Sequence, residues 1–319
     1  MNSPQSKLFH EETLCSTGSY VTRPRKSPFI RFFTKTPPGI VCPHFWLLAW
    51  ADGCPYHCDY CYLQGTPGVR YQMLRDGKPV VYSNLADLLK ECKQWMVQQE
   101  QPSLLNSGEL CDSLALTDKV LIEVAKLFYQ QQKHKLLLLT KSSNVDGIVR
   151  LSETVQQGHS RTHGQVIVSF SVNPFQVARK FEHDAAPIMD RMFAAAKCKD
   201  AGLPVRIRID PIINWSDWQD YYGDLVGAVN LLEPERVTLG SIRVFPIVIT
   251  EARKAGRNLE VFEGLNEVTV DGRHRYPTVK RMRLYQFMME RLKGPAALCK
   301  ETNQIHALLK PSLKCNCVI

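Results

Sequence analysis

From Phe45 onward the chain alternates short, continuous apolar runs with longer stretches in which apolar residues recur every three or four positions. The runs are Phe45 to Ala51, Ser103 to Ser107, Lys135 to Thr140, Val166 to Val172, Val205 to Ile213 and Val237 to Ile242, each the length of a buried strand. Between them, Asn84 to Gln98 carries Leu85, Leu88, Leu89, Cys92 and Met96 on one helical face. A segment from Asp118 does the same with Val120, Leu121, Val124, Leu127 and Phe128. Ile188 to Ala201 and Asp217 to Leu232 are further helical patterns, Gly202 stands where a helix C-cap belongs, and Pro277 opens a last long helix running to about Lys293. Cys54 to Gly68 reads as a long loop. Six strand-helix units in this order predict an α/β fold with a parallel sheet curved into a full or partial (β/α)6 barrel, its chemistry at the C-terminal ends of the strands.

The flanks differ from this core. Residues 1–41, rich in Pro, Ser, Lys and Thr and ending near Pro37-Pro38-Gly39, read as an N-terminal extended arm. Residues 42–293 form one catalytic domain, and 294–319 a C-terminal extension. No apolar run is long enough to span a bilayer, and Met1 to Glu12 lacks the pattern of a secretory signal, so no membrane association and a cytoplasmic setting are expected.

Composition alters this picture in two places. The net charge of +9 suits a polyanionic partner such as nucleic acid, although its densest patches, Arg23 to Lys35 and Lys280 to Arg283, serve a solvated face equally well. Eleven cysteines in a chain of 319 residues without an export signal argue against a disulfide scaffold and for thiols reserved for metal.

Three of those thiols stand in Cys54-Pro55-Tyr56-His57-Cys58-Asp59-Tyr60-Cys61-Tyr62, a C-x3-C-x2-C directly after the first strand. Zinc would need His57 as a fourth ligand, yet His57 adjoins Cys58 and is poorly placed to share its tetrahedron. A redox C-x-x-C would leave Cys54 idle, and haem attachment is excluded because Tyr62, not His, follows Cys61. A cubane cluster held by three cysteines keeps one iron open for a non-protein ligand.

This loop, with an aromatic before its third cysteine, resembles that of the radical S-adenosylmethionine superfamily. More narrowly, CDYCYLQ at Cys58 to Gln64 is similar to the spore photoproduct lyase family. Further likenesses follow in order at Thr140-Lys141-Ser142, Phe170 to Pro174, Ala201-Gly202 and Leu298 to Glu301. The resemblance implies a partial (β/α)6 barrel of the radical SAM type, with a 4Fe-4S cluster on Cys54, Cys58 and Cys61. Its open iron would bind S-adenosylmethionine, whose reductive cleavage gives a 5′-deoxyadenosyl radical. It also implies that Lys141 pairs with the methionyl carboxylate, that Ser171 and Asn173 bind polar groups of the cofactor, and that Tyr60 packs near the adenine. Ser107-Gly108-Glu109 stands where many such enzymes bind the amino group through a Gly-Glu pair, so Gly108 and Glu109 join the cofactor set. An electron donor of the flavodoxin or ferredoxin type follows from the same likeness.

On the substrate side Tyr62 and Cys111 are the catalytic candidates. In the lyases a cysteine after the second strand returns a hydrogen atom to thymine. Aligning Asp112-Ser113-Leu114 with the family pattern puts Leu110 there instead, and a slip of one residue in an extended segment turns the side chain of Cys111 to the opposite face. The expected activity is therefore radical generation acting on an unidentified substrate. DNA photolesion repair is the first alternative, and a non-catalytic zinc-containing nucleic-acid binder the second. Cys299, Cys315 and Cys317 are candidates for a second iron-sulfur cluster.

Overall fold

The computed structural model describes residues 19–158 and 164–319; residues 1–18 of the arm, the polar Met1 to Glu12 stretch included, lie outside the described residues. The six apolar runs form parallel strands at Phe45–Leu48, Leu104–Asn106, Lys135–Thr140, Val166–Ser171, Val205–Ile212 and Arg236–Ser241, joined edge to edge in chain order. A seventh, Ala296–Leu298, extends the series by pairing in parallel with Arg236–Ser241. The count of six units leaves this strand out, although Ala296-Ala297-Leu298, just before Cys299, itself reads as an apolar strand pattern. At the other edge Ile30–Phe33, from the segment read as an arm, runs antiparallel to Phe45–Leu48. The eight-stranded sheet stays open between these edges, a partial barrel.

Helices cover the outer face. Leu85–Gln98, Lys119–Tyr129, Ile188–Asp200, Trp218–Leu232 and Thr278–Arg291 match the periodic segments. Ile188–Asp200 ends as its glycine predicts: Gly202 has φ +71°, its N–H donates to Lys199 O at 2.9 Å, and Leu203 N–H donates to Cys198 O at 3.0 Å. That pair of bonds satisfies two otherwise orphaned carbonyls. The long loop after the first strand is shorter than expected, since Tyr62–Gly65 forms a 3-10 turn and a helix begins at Pro67.

Alternation along the strands separates two faces. Val205, Ile207 and Ile209 pack outward into the main core, as do Leu136, Leu138, Val166, Val168 and Phe170. The intervening positions point inward, and on the fifth strand these are Arg206, Arg208 and Asp210. The chain's last described residues fill the floor of that interior. Arg206 Nη1 donates to the carbonyls of Asn316 (2.8 Å) and Val318 (2.9 Å), Arg236 Nη1 to those of Lys314 and Cys315 (3.0 Å each), and Asn316 Nδ2 to Ser169 Oγ (2.7 Å). A charge-assisted bond to each carbonyl satisfies backbone that burial would otherwise leave without water.

Candidate active site at the strand ends

The cysteine loop leaves the first strand through Gly53, whose φ of +87° suits glycine and whose N–H donates to Leu110 O at 2.9 Å. It then folds back on itself, Cys61 N–H donating to Cys58 O at 3.2 Å, and Gln64 Nε2 braces it by donating to the carbonyls of Asp59 (3.0 Å) and Cys61 (3.2 Å). Buried Asp59 accepts from His183 at 2.9 Å, tying the loop to the segment after the fourth strand. Burial raises the thiol pKa of Cys54, Cys58 and Cys61, and the three act on one another electrostatically, while Lys141 opposes the rise at Cys58 and Cys61. Coordination removes the thiol proton outright.

Beside the loop stands a carboxylate that the sequence reading did not single out. Glu182 is buried at the end of the short helix Phe175–Phe181 and gathers the expected cofactor residues around itself. Its Oε1 accepts from Lys141 Nζ at 3.1 Å, from Asn173 Nδ2 at 2.9 Å and from the hydroxyl of Tyr60, and its Oε2 pairs with Arg191 Nη1 at 2.6 Å. Burial alone would raise its pKa, but Lys141 and Arg191 hold it far below the ordinary carboxylate range. Lys141 Nζ also donates to Ser171 Oγ at 2.8 Å and lies 5.6 Å from the centroid of the Tyr60 ring. Lys141, Ser171, Asn173 and Tyr60 therefore form one cluster, with the Tyr60 hydroxyl turned to Glu182.

Lys141 and Arg191 share the Glu182 carboxylate, and the buried Asp112 carboxylate accepts from the backbone N–H of Lys141 at 2.5 Å. With its side chain partly open, Lys141 is the cation of this cluster that can meet an anionic guest.

The second strand supplies the other wall. Gly108 N–H donates to Asn106 Oδ1 at 2.9 Å, Asn106 Nδ2 donates to Glu109 Oε1 at 3.0 Å, and the half-exposed Tyr62 hydroxyl donates to Glu109 Oε2 at 3.3 Å as well as to its backbone carbonyl. A Cβ on Gly108 would stand 2.5 Å from Leu139 Cβ, so this turn is pressed against the third strand. Cys111 is not part of the open wall. It is 1% exposed within the main core, close to Cys54, Asp112 and Asp52, while Leu110 beside it is half-buried.

Cys299, Cys315 and Cys317 lie elsewhere in the barrel interior, all buried. Among the described residues no three His, Cys, Asp or Glu side chains converge on a point where one metal ion would sit. Sulfurs sharing a zinc at bonds of about 2.3 Å stand about 3.8 Å apart, whereas a cubane takes each thiolate on a different iron. The loop, with three thiols and a neighbouring ammonium, fits the second arrangement.

Known proteins resemble this chain in sequence and in fold. The sequence model of the family described as spore photoproduct lyase matches residues 44–242. The chain is 28% identical over 199 residues to the spore photoproduct lyase of Bacillus subtilis (strain 168), covering 60% of this chain and 52% of that protein. It is 27% identical over 184 residues to that of Geobacillus sp. (strain Y412MC61), covering 55% and 48%. The chain thus spans about half the length of the curated relatives it matches. Among solved structures it resembles spore photoproduct lyase complexed with dinucleoside spore photoproduct, at a TM-score of 0.66, 19% identity and coverage of 88% and 81%. A variant of that lyase with bound AdoMet and dinucleoside spore photoproduct gives a TM-score of 0.66, 19% identity and coverage of 89% and 82%. At that identity the likeness is one of fold.

Proposed function

We infer, from the premise that this chain belongs to the spore photoproduct lyase family, that it is a radical S-adenosylmethionine enzyme acting on a thymine photolesion in nucleic acid. The observation that supports the radical chemistry is the seating of the three-cysteine loop against the Lys141–Glu182 pair, Tyr60 of the loop donating to Glu182. When bound, a 4Fe-4S cluster with one open iron supplies the electron that cleaves S-adenosylmethionine and releases a 5′-deoxyadenosyl radical.

Each residue has a share in that process. Cys54, Cys58 and Cys61 would hold the cluster. Lys141, fixed by Glu182 and Ser171, would receive the methionyl carboxylate, and Glu109, steadied by Asn106 and Tyr62, the methionyl ammonium. Asn173 is buried and locked from both ends, its Nδ2 on Glu182 and its Oδ1 accepting from Tyr222 OH at 3.1 Å, so it fixes the position of Glu182 behind Lys141. The Tyr60 ring lies beside the Lys141 ammonium and restricts where it can move.

Family membership and the likeness to a lyase complexed with dinucleoside spore photoproduct support the photolesion over an unrelated substrate. The surplus of basic residues favours a nucleic-acid partner in the same way.

The test is anaerobic reconstitution, chemical reduction and measurement of 5′-deoxyadenosine and of dinucleoside spore photoproduct. The wild type should form deoxyadenosine, and Cys54→Ala, Cys58→Ala and Cys61→Ala should not. Equal yield in all four proteins would end the radical assignment, and deoxyadenosine without loss of lesion would end the substrate assignment.

A further inference from the structure

We propose that Cys42, Cys299, Cys315 and Cys317 ligate a second, fully cysteine-bound 4Fe-4S cluster inside the barrel. The four come from three separated stretches of chain, and Cys42 was not among the candidates read from the sequence.

They meet because the barrel floor is built from the chain's own tail. Cys315 and Cys317 pack with Phe45 and Ala297 in a small core distinct from the main one, and Cys42 packs against the same group. Ala297 and Cys299 are two residues apart at the end of one strand and so share its inward face. Cys317 is the common neighbour, close to Cys315, Cys42 and Cys299, with its Sγ 3.9 Å from Asn106 Nδ2. Four thiols complete the ligand set that the loop at Cys54 leaves one short.

The surroundings suit an anion. Cys299 Sγ accepts from Arg208 Nη2 at 3.3 Å and from Arg243 Nη2 at 3.1 Å. Those two guanidiniums share the single carboxylate of Asp210, Arg208 at 2.7 Å and Arg243 at 2.8 Å, so one positive charge remains for the sulfur side. Gly240 makes the arrangement possible, since a Cβ there would stand 2.5 Å from Asp210 Oδ1. Lys300 lies beside Cys42 and adds a further cation. Thiolates bound to iron carry negative charge into the interior, and this surplus offsets it.

A cavity of about 400 Å³ reaches one of the four thiol residues, being lined by Cys315 together with Val41, Pro43, Leu298, His306 and Lys314. Once all four thiols are bound no iron is left open, which suits electron storage or transfer rather than substrate binding.

The experiment separates this site from the loop cluster. Three proteins are purified and reconstituted anaerobically: the wild type, a Cys54→Ala/Cys58→Ala/Cys61→Ala variant, and a Cys315→Ser/Cys317→Ser variant. Iron, sulfide and zinc are measured in each. About eight irons per chain in the wild type and about four in each variant are expected. After reduction, the cluster left in the triple alanine variant should give an electron paramagnetic resonance signal that S-adenosylmethionine does not alter. That variant keeps the tail intact, so a folding failure of the serine variant does not decide the matter. No iron above background in the triple alanine variant, or zinc in its place, overturns the proposal and leaves the loop cluster untouched.

Discussion

The ammonium of Lys141 and the carboxylate of Glu182 stand 3.1 Å apart, with the carboxylate buried and the lysine side chain 14% exposed. The pair is asymmetric: Glu182 has no route to solvent, whereas Lys141 has one open side. The lysine can therefore take a second anionic partner without leaving the first.

Lys141→Ala is expected to weaken S-adenosylmethionine binding about ten-fold or more, the equivalent of one charge-assisted hydrogen bond of roughly 1.5 to 3 kcal/mol. Iron content should not change, because no iron ligand is removed. Equilibrium binding on the reconstituted protein reads the first quantity and iron analysis the second. Unaltered affinity would put the carboxylate site elsewhere.

Glu182→Gln should destabilise the fold by about 3 to 5 kcal/mol, since it leaves the buried Arg191 and the partly open Lys141 facing a neutral amide. Its pKa in the folded protein is depressed below the ordinary value of 4.5. The stabilisation it gives is thus complete above about pH 4.5 and is lost as the pH falls further. Urea unfolding between pH 7 and pH 3 should show the wild type losing stability steeply on the acid side and the variant losing less. Parallel curves would mean that Glu182 is not the titrating anchor.

Cys111→Ala is expected to leave deoxyadenosine formation and lesion turnover near wild-type levels. The side chain faces the core behind Cys54, so its loss costs packing, roughly 1 to 2 kcal/mol. Lesion turnover abolished with deoxyadenosine formation retained would instead make this thiol a hydrogen donor.

Gly108→Ala should lower stability by about 1 to 3 kcal/mol, because the new methyl meets Leu139 in a packed wall. Displacing the turn also moves Glu109. A rise in the KM for S-adenosylmethionine with an intact cluster spectrum is the expected kinetic sign, and a variant with unchanged melting temperature and KM would show that the turn has slack.

The parts of the site that were legible in the chain share a property. Cys54, Cys58 and Cys61 lie on one loop, and Lys141, Ser171 and Asn173 lie at or just past strand ends, where a parallel barrel gathers its chemistry. Glu182 obeys neither rule. It follows a seven-residue helix, Phe175–Phe181, too short to show periodicity, and a lone glutamate there reads as surface until the fold brings Lys141 and Arg191 to it. Cys42 was hidden likewise, since nothing near it in sequence points to the tail it meets. Arg206, Arg208 and Asp210 alternate with Val205, Ile207 and Ile209 within a segment read simply as a buried strand. The partners of Arg206, the carbonyls of the tail, appear only in three dimensions.

The open edge of the barrel is bridged by a short ladder, where Ile40–Val41 pairs antiparallel with Glu301–Thr302. Partners as remote in the chain as Val41 and Glu301 can find each other only after nearly everything between them has ordered, because closing so long a loop is entropically costly. This small ladder should be among the last contacts made during folding and among the first lost under mild denaturation. Amide hydrogens at Val41 and Thr302 would then exchange earlier than those of the central strands.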